Sequence, residues 1–184
     1  MRTLDLVVEP TSVTLGMTPL RRAGPVADFY AMLGPASRVL SAGGRPPIGH
    51  RNTQIHVYDE LGATLMEHHY THQVHCVGAV LNRGDDAIHS TARPFAGALW
   101  VGGVRLGPGA LESELRAGAL PFTSRQPGYW RAEVTSVDGD PILVTIATMG
   151  RRPSSGRRSR RREILGVQLS LAHDPWDTTH RPPD

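Results

Sequence analysis

The sequence predicts an α+β fold with a mainly antiparallel sheet, and three patterns carry this prediction. Short runs of alternating apolar and polar residues recur along the 184-residue chain, which indicates half-buried strands. One segment, 25–33, instead places its apolar residues at helical spacing. The order hairpin, helix, link and three-stranded meander then occurs twice. We therefore expect one compact domain built from two such units, 1–93 and 94–172, with a C-terminal tail, 173–184.

The first unit begins with a hairpin that leads into a helix. Apolar residues alternate over 4–8, and a Pro-Thr-Ser turn leads into a second short strand at 13–15. The helix has Pro25 at its favoured first position, and it is predicted to end at Gly34, which is followed by a proline. Residues 36–54 are rich in Gly, Pro and Arg, so they are predicted to be a loop, with a short irregular strand near 38–40 as an alternative for part of it.

A three-stranded meander completes the first unit. In its first strand Ile55 and Val57 alternate with polar or aromatic residues, which predicts one buried face. An acidic turn ending at Gly62 follows, because glycine adopts a positive φ without steric penalty. The run 63–67 returns. The third run, 74–81, is apolar on both faces, so it is predicted to lie in the middle of a sheet.

The second unit repeats the order of the first. A strand over 94–100 reaches a double-glycine turn at Gly102, which favours a tight hairpin. A short helix is predicted over 110–117, since Leu111 and Leu115 lie one turn apart and a glycine follows. The remaining strands are predicted at 129–137, 142–149 and 163–171.

Bulk properties exclude several classes of protein. No apolar run approaches the roughly 20 residues that span a bilayer, so no membrane association is expected. Asp5 and Glu9 interrupt the uncharged core that a signal peptide needs, and we expect a cytoplasmic protein. The single cysteine, Cys76, excludes an internal disulfide. Its place in an apolar strand predicts a buried, inert thiol.

Several segments resemble a family of uncharacterised bacterial proteins. The shared features are a helix that ends in Leu-Gly followed by Pro, the VYDELG strand turn and the FAGALWVGG hairpin, and they cover about residues 24–106. The arrangement also resembles the repeats of β-lactamase-inhibitory proteins and of outer-membrane assembly lipoproteins, although this chain lacks a lipobox cysteine near its start. Members of the family are similar in size to immunity proteins that neutralise bacterial toxins. The resemblance thus implies a role as an antidote.

Four histidines, His68, His69, His72 and His75, lie within eight residues. Imidazoles are good ligands for zinc, nickel or copper, so the cluster is a candidate metal site and the centre of a hypothetical metal-dependent enzyme. The spacing lacks the glutamate of an H-E-x-x-H helix, and the segment lies where a polar link between strands is expected. A solvated link is therefore the alternative interpretation, and no cofactor is expected.

All twenty basic residues are arginines, and seven of them lie in 151–162, which contains no acidic residue. This loop could contact phosphates, which makes a nucleic-acid accessory role one alternative function. No aromatic residues are interleaved for base stacking, and the rest of the chain is mildly acidic. Four arginines of the loop are candidate binding residues, namely Arg157, Arg158, Arg160 and Arg161.

The large aromatic residues suggest where a partner could bind. Tyr30 and Trp100 are predicted to pack in the core. Tyr129 and Trp130 lie on opposite faces of one strand, so one of them is a candidate for an exposed contact. Since no catalytic set of residues is recognisable, we expect a non-enzymatic module that binds a protein partner, with the metal-dependent enzyme and the nucleic-acid role as alternatives.

Overall fold

The structure, a computed structural model, describes residues 4–41, 53–82, 91–126, 128–150 and 162–171. Of these residues, 52% lie in strands and 10% in helices. The expected α+β class is therefore wrong, and the fold is dominated by antiparallel sheet. The physical reason is that strands from both halves of the chain pair into shared sheets, and the two helices of the described part are too short to form a layer.

The elements follow the chain in a simple order. The strands are β1 (Leu6–Glu9), β2 (Ser12–Leu15), β3 (Thr18–Pro19), β4 (Gly24–Pro25), β5 (Arg38–Ser41), β6 (Thr53–Tyr58), β7 (Ala63–His68), β8 (Gln73–Val80), β9 (Leu99–Val101), β10 (Val104–Leu106), β11 (Thr123–Gln126), β12 (Tyr129–Thr135), β13 (Pro141–Gly150) and β14 (Arg162–Ser170). The helix α1 spans Val26–Leu33, and a 3-10 helix spans Glu112–Ala117.

The larger sheet, sheet B, has nine strands. Eight of them follow the order β11-β12-β13-β14-β8-β7-β6-β5, and β4 pairs with the start of β8. Every pairing in this sheet is antiparallel. β8 lies between β7 and β14, as its two apolar faces predict.

The smaller sheet, sheet A, has five strands in the order β10-β9-β1-β2-β3. Its central pair, β1 and β9, is parallel, with Leu6 opposite Leu99, whereas its other pairings are antiparallel. The chain before β9 approaches β1 so closely that a Cβ atom on Gly97 would overlap the backbone carbonyl of Leu4. A residue without a side chain is therefore required at this crossing.

One hydrophobic core lies between the two sheets. Alternate residues of sheet A, such as Leu6 and Val13, belong to the same buried cluster as Leu65, Val77 and Ile146 of sheet B. Each sheet contains strands from both 1–93 and 94–172. Because the cluster is continuous, the two predicted units share a single core in this fold.

The predicted first helix is confirmed. It begins at Val26, so Pro25 is the N-cap and the end of β4 rather than the predicted first helical residue. Gly34 at the C-terminus has φ 79° and donates its backbone N–H to the carbonyl of Tyr30 at 2.8 Å. Phe29 is the buried side chain of α1, and Val26, Met32 and Leu33 pack partly against the core. α1 therefore lies as a short cover on the sheets.

The predicted second helix forms only as a six-residue 3-10 helix. Leu115 is its one buried residue, so the segment has no apolar stripe that would stabilise a longer α-helix. No helix in the described part of the chain is both long enough and apolar enough to cross a bilayer.

The acidic turn between β6 and β7 is crossed by the segment that precedes β9. Gly62 has φ 67°, and its carbonyl accepts the backbone N–H of Val80 at 2.9 Å. Phe95 donates its N–H to the carbonyl of Val80, and Ala96 donates to Leu61. A Cβ atom on Gly62 would overlap the backbone of Pro94 and Phe95, so the crossing needs glycine for both space and conformation.

Candidate functional site

The turn between β7 and β8, residues 68–72, contains three of the four clustered histidines, and we call it the histidine turn. It is closed by a hydrogen bond from the His72 backbone N–H to the His68 carbonyl at 2.9 Å. The carbonyl of His72 accepts the N–H of Val26 at the start of α1, at 3.0 Å. His72 has φ 53°, a left-handed conformation that residues other than glycine rarely adopt. A residue in this conformation is held there by the contacts that surround it.

The side chain that holds His72 is Glu67, at the end of β7. Its carboxyl group is 3% exposed, and one oxygen, Oε1, lies 2.6 Å from Nδ1 of His72. The other oxygen, Oε2, lies 2.6 Å from Nε2 of His56 on β6. Both distances are those of strong, charge-assisted hydrogen bonds. The buried carboxyl group thus has a partner on each oxygen, which is what makes its burial tolerable.

The network continues from His56 to the helix. The hydroxyl of Tyr30 lies 2.8 Å from Nδ1 of His56, and the two rings meet edge to face with centroids 5.6 Å apart. If Glu67 is ionised, Nε2 of His56 must donate a hydrogen bond to it. Nδ1 of His56 then accepts a hydrogen bond from the Tyr30 hydroxyl. Burial, and secondarily the charge of Glu67, raise the pKa of Tyr30, which keeps that hydroxyl a donor.

These residues come together because β6 and β7 are in a particular register. Gln54 lies opposite Glu67, and His56 lies opposite Leu65, so His56 and Glu67 are diagonal neighbours on one face. α1 covers this face. The expectation that β6 buries one face is wrong, because His56 and Tyr58 are as buried as Ile55 and Val57.

Tyr58 adds an unsatisfied polar group to the same face. Its side chain is buried, and its hydroxyl has no hydrogen-bond partner among the described residues. Burial and the nearby Tyr30 raise the pKa of Tyr58, so the hydroxyl stays neutral. The face under α1 therefore contains both a fully paired acid and an unpaired phenol.

The other imidazoles of the turn are also oriented through Nδ1. Nδ1 of His69 lies 3.1 Å from Nε2 of Gln54, and Nδ1 of His68 lies 3.3 Å from Oγ1 of Thr71. Between them Tyr70 is 70% exposed at the tip of the turn, with its ring 6.0 Å from that of His68 and 5.2 Å from that of His69. The turn thus presents a compact aromatic surface in which the imidazoles are held by hydrogen bonds.

The four predicted metal ligands are not brought to one point. His68, His69 and His72 each contact a different side chain, and His75 belongs to β8, outside the turn. Within the described ranges no three His, Cys, Asp or Glu side chains are grouped so as to hold a metal ion. The metal-dependent enzyme therefore gains no geometric support from this part of the chain.

Tyr129 and Trp130 occupy opposite faces of β12, as predicted. Tyr129 is 44% exposed, whereas Trp130 packs against the core. Tyr30 and Trp100, which were expected in the core, are instead about one third exposed, because α1 and β9 lie at the surface. Tyr129 borders an open groove of about 230 Å³ on the outer face of sheet B, opposite the face that carries Glu67.

Cys76 lines the floor of this groove, and it is buried as predicted. Burial raises the pKa of its thiol to about 12, although a hydrogen bond with the side chain of Gln168 acts in the opposite direction. The thiol is therefore inert. The candidate residues Arg157, Arg158, Arg160 and Arg161 lie outside the described residues.

Sequence reasoning missed the main members of the site. Neither Glu67 nor His56 stands out in the sequence as a site residue, and the helical spacing predicts Tyr30 in the core. The available signal was an ionisable residue in each of two adjacent strands, His56 between Ile55 and Val57 and Glu67 directly after Met66. Comparison of the chain with protein-family models, curated proteins and solved structures gives no match. The resemblance to immunity-type proteins stays a prediction.

Proposed function

We propose that the protein is a protein-binding module whose contact surface is the histidine turn. The observation that carries this proposal is Tyr70, which is 70% exposed at the tip of a turn whose neighbouring side chains are hydrogen-bonded in place. Exposed tyrosines of this kind are enriched at the energetic centres of interfaces, because they offer a large area with few rotatable bonds. A supported turn also loses little entropy on binding.

The resemblance to immunity-type proteins suggests the form of this function. We propose an antidote that binds a bacterial toxin, and the first partner to test is the product of the neighbouring gene. No aromatic side chain among the described residues is more exposed than Tyr70. The ring of Tyr70 would therefore form a small centre of the binding surface, and the imidazoles would form its polar rim.

The test measures the affinity of the purified chain for that gene product by titration calorimetry. The change Tyr70→Ala should weaken binding at least roughly tenfold, as truncation of a hot-spot residue does. Met17→Ala is the matched control, because Met17 is 98% exposed in a turn of sheet A, and it should bind normally. Equal affinity of the Tyr70 variant and the unmodified chain would refute the proposed surface.

A further inference from the structure

We propose that Glu67 and His72 form an acid–base dyad in which Nε2 of His72 is a nucleophile toward acyl esters with aromatic leaving groups. This activity goes beyond partner binding. It rests on the geometry of four side chains from α1, β6, β7 and the histidine turn.

The first step of the argument is the tautomer of His72. Its Nδ1 lies 2.6 Å from a carboxylate oxygen of Glu67, and an ionised carboxylate can only accept a hydrogen bond. With Glu67 ionised, Nδ1 of His72 therefore carries the proton, and in the neutral ring the lone pair is on Nε2. This is the arrangement by which a carboxylate prepares a histidine for proton transfer or nucleophilic attack.

The second step is access. The imidazole of His72 is 69% exposed, while the carboxyl group behind it is 3% exposed. Nε2 has no hydrogen-bond partner among the described residues, so it is open to a molecule that approaches the turn. A buried acid and an exposed imidazole are the two ends that such a dyad requires.

The third step is positioning. Nε2 of His56 lies 2.6 Å from the second oxygen of Glu67, and the Tyr30 hydroxyl lies 2.8 Å from Nδ1 of His56, so the carboxyl group is held at both oxygens. His72 has a left-handed backbone, with φ 53°, and its ring contacts Glu67 in this conformation. Glu67 is a positioning residue, because it acts on the reaction through His72.

The composition of the histidine turn indicates the class of substrate. The ring of Tyr70 packs against the rings of His68 and His69 in the same turn as His72, and these rings offer flat faces on which an aromatic leaving group can stack. Nε2 adds to the acyl carbon, and the bond to the aryl oxygen breaks. The aryloxide leaves, and water then cleaves the acyl–nitrogen bond, giving its hydroxyl to the acyl group and its proton to the solvent. The neutral imidazole is restored.

The experiment uses the full chain and 4-nitrophenyl acetate, with release of nitrophenolate followed by absorbance. His72→Asn should lower the rate at least roughly tenfold, since a positioned side chain of this kind contributes 10²–10⁴ in enzymes. Asn tolerates the left-handed conformation, so the turn is retained. Acid-quenched samples of the unmodified chain should carry the acetyl group on His72 when mapped by mass spectrometry.

Glu67→Gln should lower the rate, and imidazole nitrogen spectra of this variant should show His72 losing its preference for the Nδ1–H form. A purely structural role of Glu67 would leave that preference unchanged. His75→Gln is the control, because it removes an imidazole outside the turn and should keep the rate. Acetyl groups spread over several residues, or full activity of His72→Asn, would overturn the dyad. Since no protein partner takes part, the outcome is independent of the proposed binding function.

Discussion

At the scale of single residues, burial affects three polar groups in different ways. The carboxyl group of Glu67 is buried but has an imidazole on each oxygen, so its burial orders the turn beside it. The hydroxyl of Tyr58 is buried without a partner among the described residues, so it contributes no such order. The thiol of Cys76 is buried with a hydrogen bond to the side chain of Gln168, and as a neutral thiol it behaves as a small apolar group. The effect of burial on this thiol is a raised pKa.

We expect the stability of the fold to fall as the pH rises from about 9 to about 12 because of Cys76. Burial raises the pKa of this thiol from the ordinary 9.0 to about 12. In that window the unfolded chain has lost the thiol proton while the folded chain still binds it. Fewer protons on the unfolded state mean that stability decreases with pH, by at most about 1.4 kcal/mol per pH unit.

Urea unfolding of the unmodified chain and of Cys76→Ala, measured from about pH 8 upward, isolates this thiol from the other groups that titrate there. The stability difference between the two proteins should shrink as the pH rises beyond 9. A difference that stays constant across the alkaline range would show that the folded thiol ionises normally.

At the scale of elements, two points where backbone segments cross restrict the fold most tightly. The turn between β6 and β7 and the segment before β9 pass each other at Gly62, and their backbones are joined by hydrogen bonds. A second crossing lies at Gly97 against β1. At both points two backbones approach so closely that a methyl group does not fit. The two glycines therefore define how the two sheets are connected.

Gly62→Ala should destabilise the protein by at least about 3 kcal/mol, because it combines a strained φ with overlap against backbone atoms that cannot rotate away. Gly139→Ala is the matched control. Gly139 has φ 86° but no atom within 4 Å of the added Cβ, so the loss there should be about 1 kcal/mol from conformation alone. Equal losses in urea unfolding would mean that the crossing can open.

Elements with a clear period could be predicted, and those without one could not. The alternation in β6, β7 and β8 and the apolar stripe of α1 are local, so the strands and the helix were found close to their observed bounds. The two-residue strands β3 and β4 are too short to show any period. Pairing partners such as β1 with β9 are distant in the chain, and the alternating pattern of a strand does not name its partner.

At the scale of the whole molecule, the two sheets behave as one unit because they share a core. Trp100 lies on β9 in sheet A, and Trp130 lies on β12 in sheet B, so each reports on one sheet. In chains that keep one of these tryptophans and carry Trp176→Phe, the fluorescence and circular dichroism midpoints should coincide. Separate transitions for the two reporters would show that the sheets unfold independently.

The candidate site is assembled from elements that are distant in the chain, which explains why it could be predicted only in part from the sequence. The histidine run was evident, but its significance depends on Glu67, whose partners come from α1 and β6. That grouping follows from the register that puts Gln54 opposite Glu67 and from the position of α1 above it. Both are products of long-range packing, and a local pattern contains neither.

The parallel pairing of β1 with β9 also constrains how the protein is made. Leu6 lies opposite Leu99, 93 positions later, so β1 waits for its neighbour while the ribosome adds the residues between them. At roughly 5–20 residues per second this delay lasts on the order of 5–20 s. β8 waits in the same way for β14, close to the end of the described chain. The nascent polypeptide therefore keeps apolar strand surface uncovered for most of its translation, and chaperones that bind such surface have time to act.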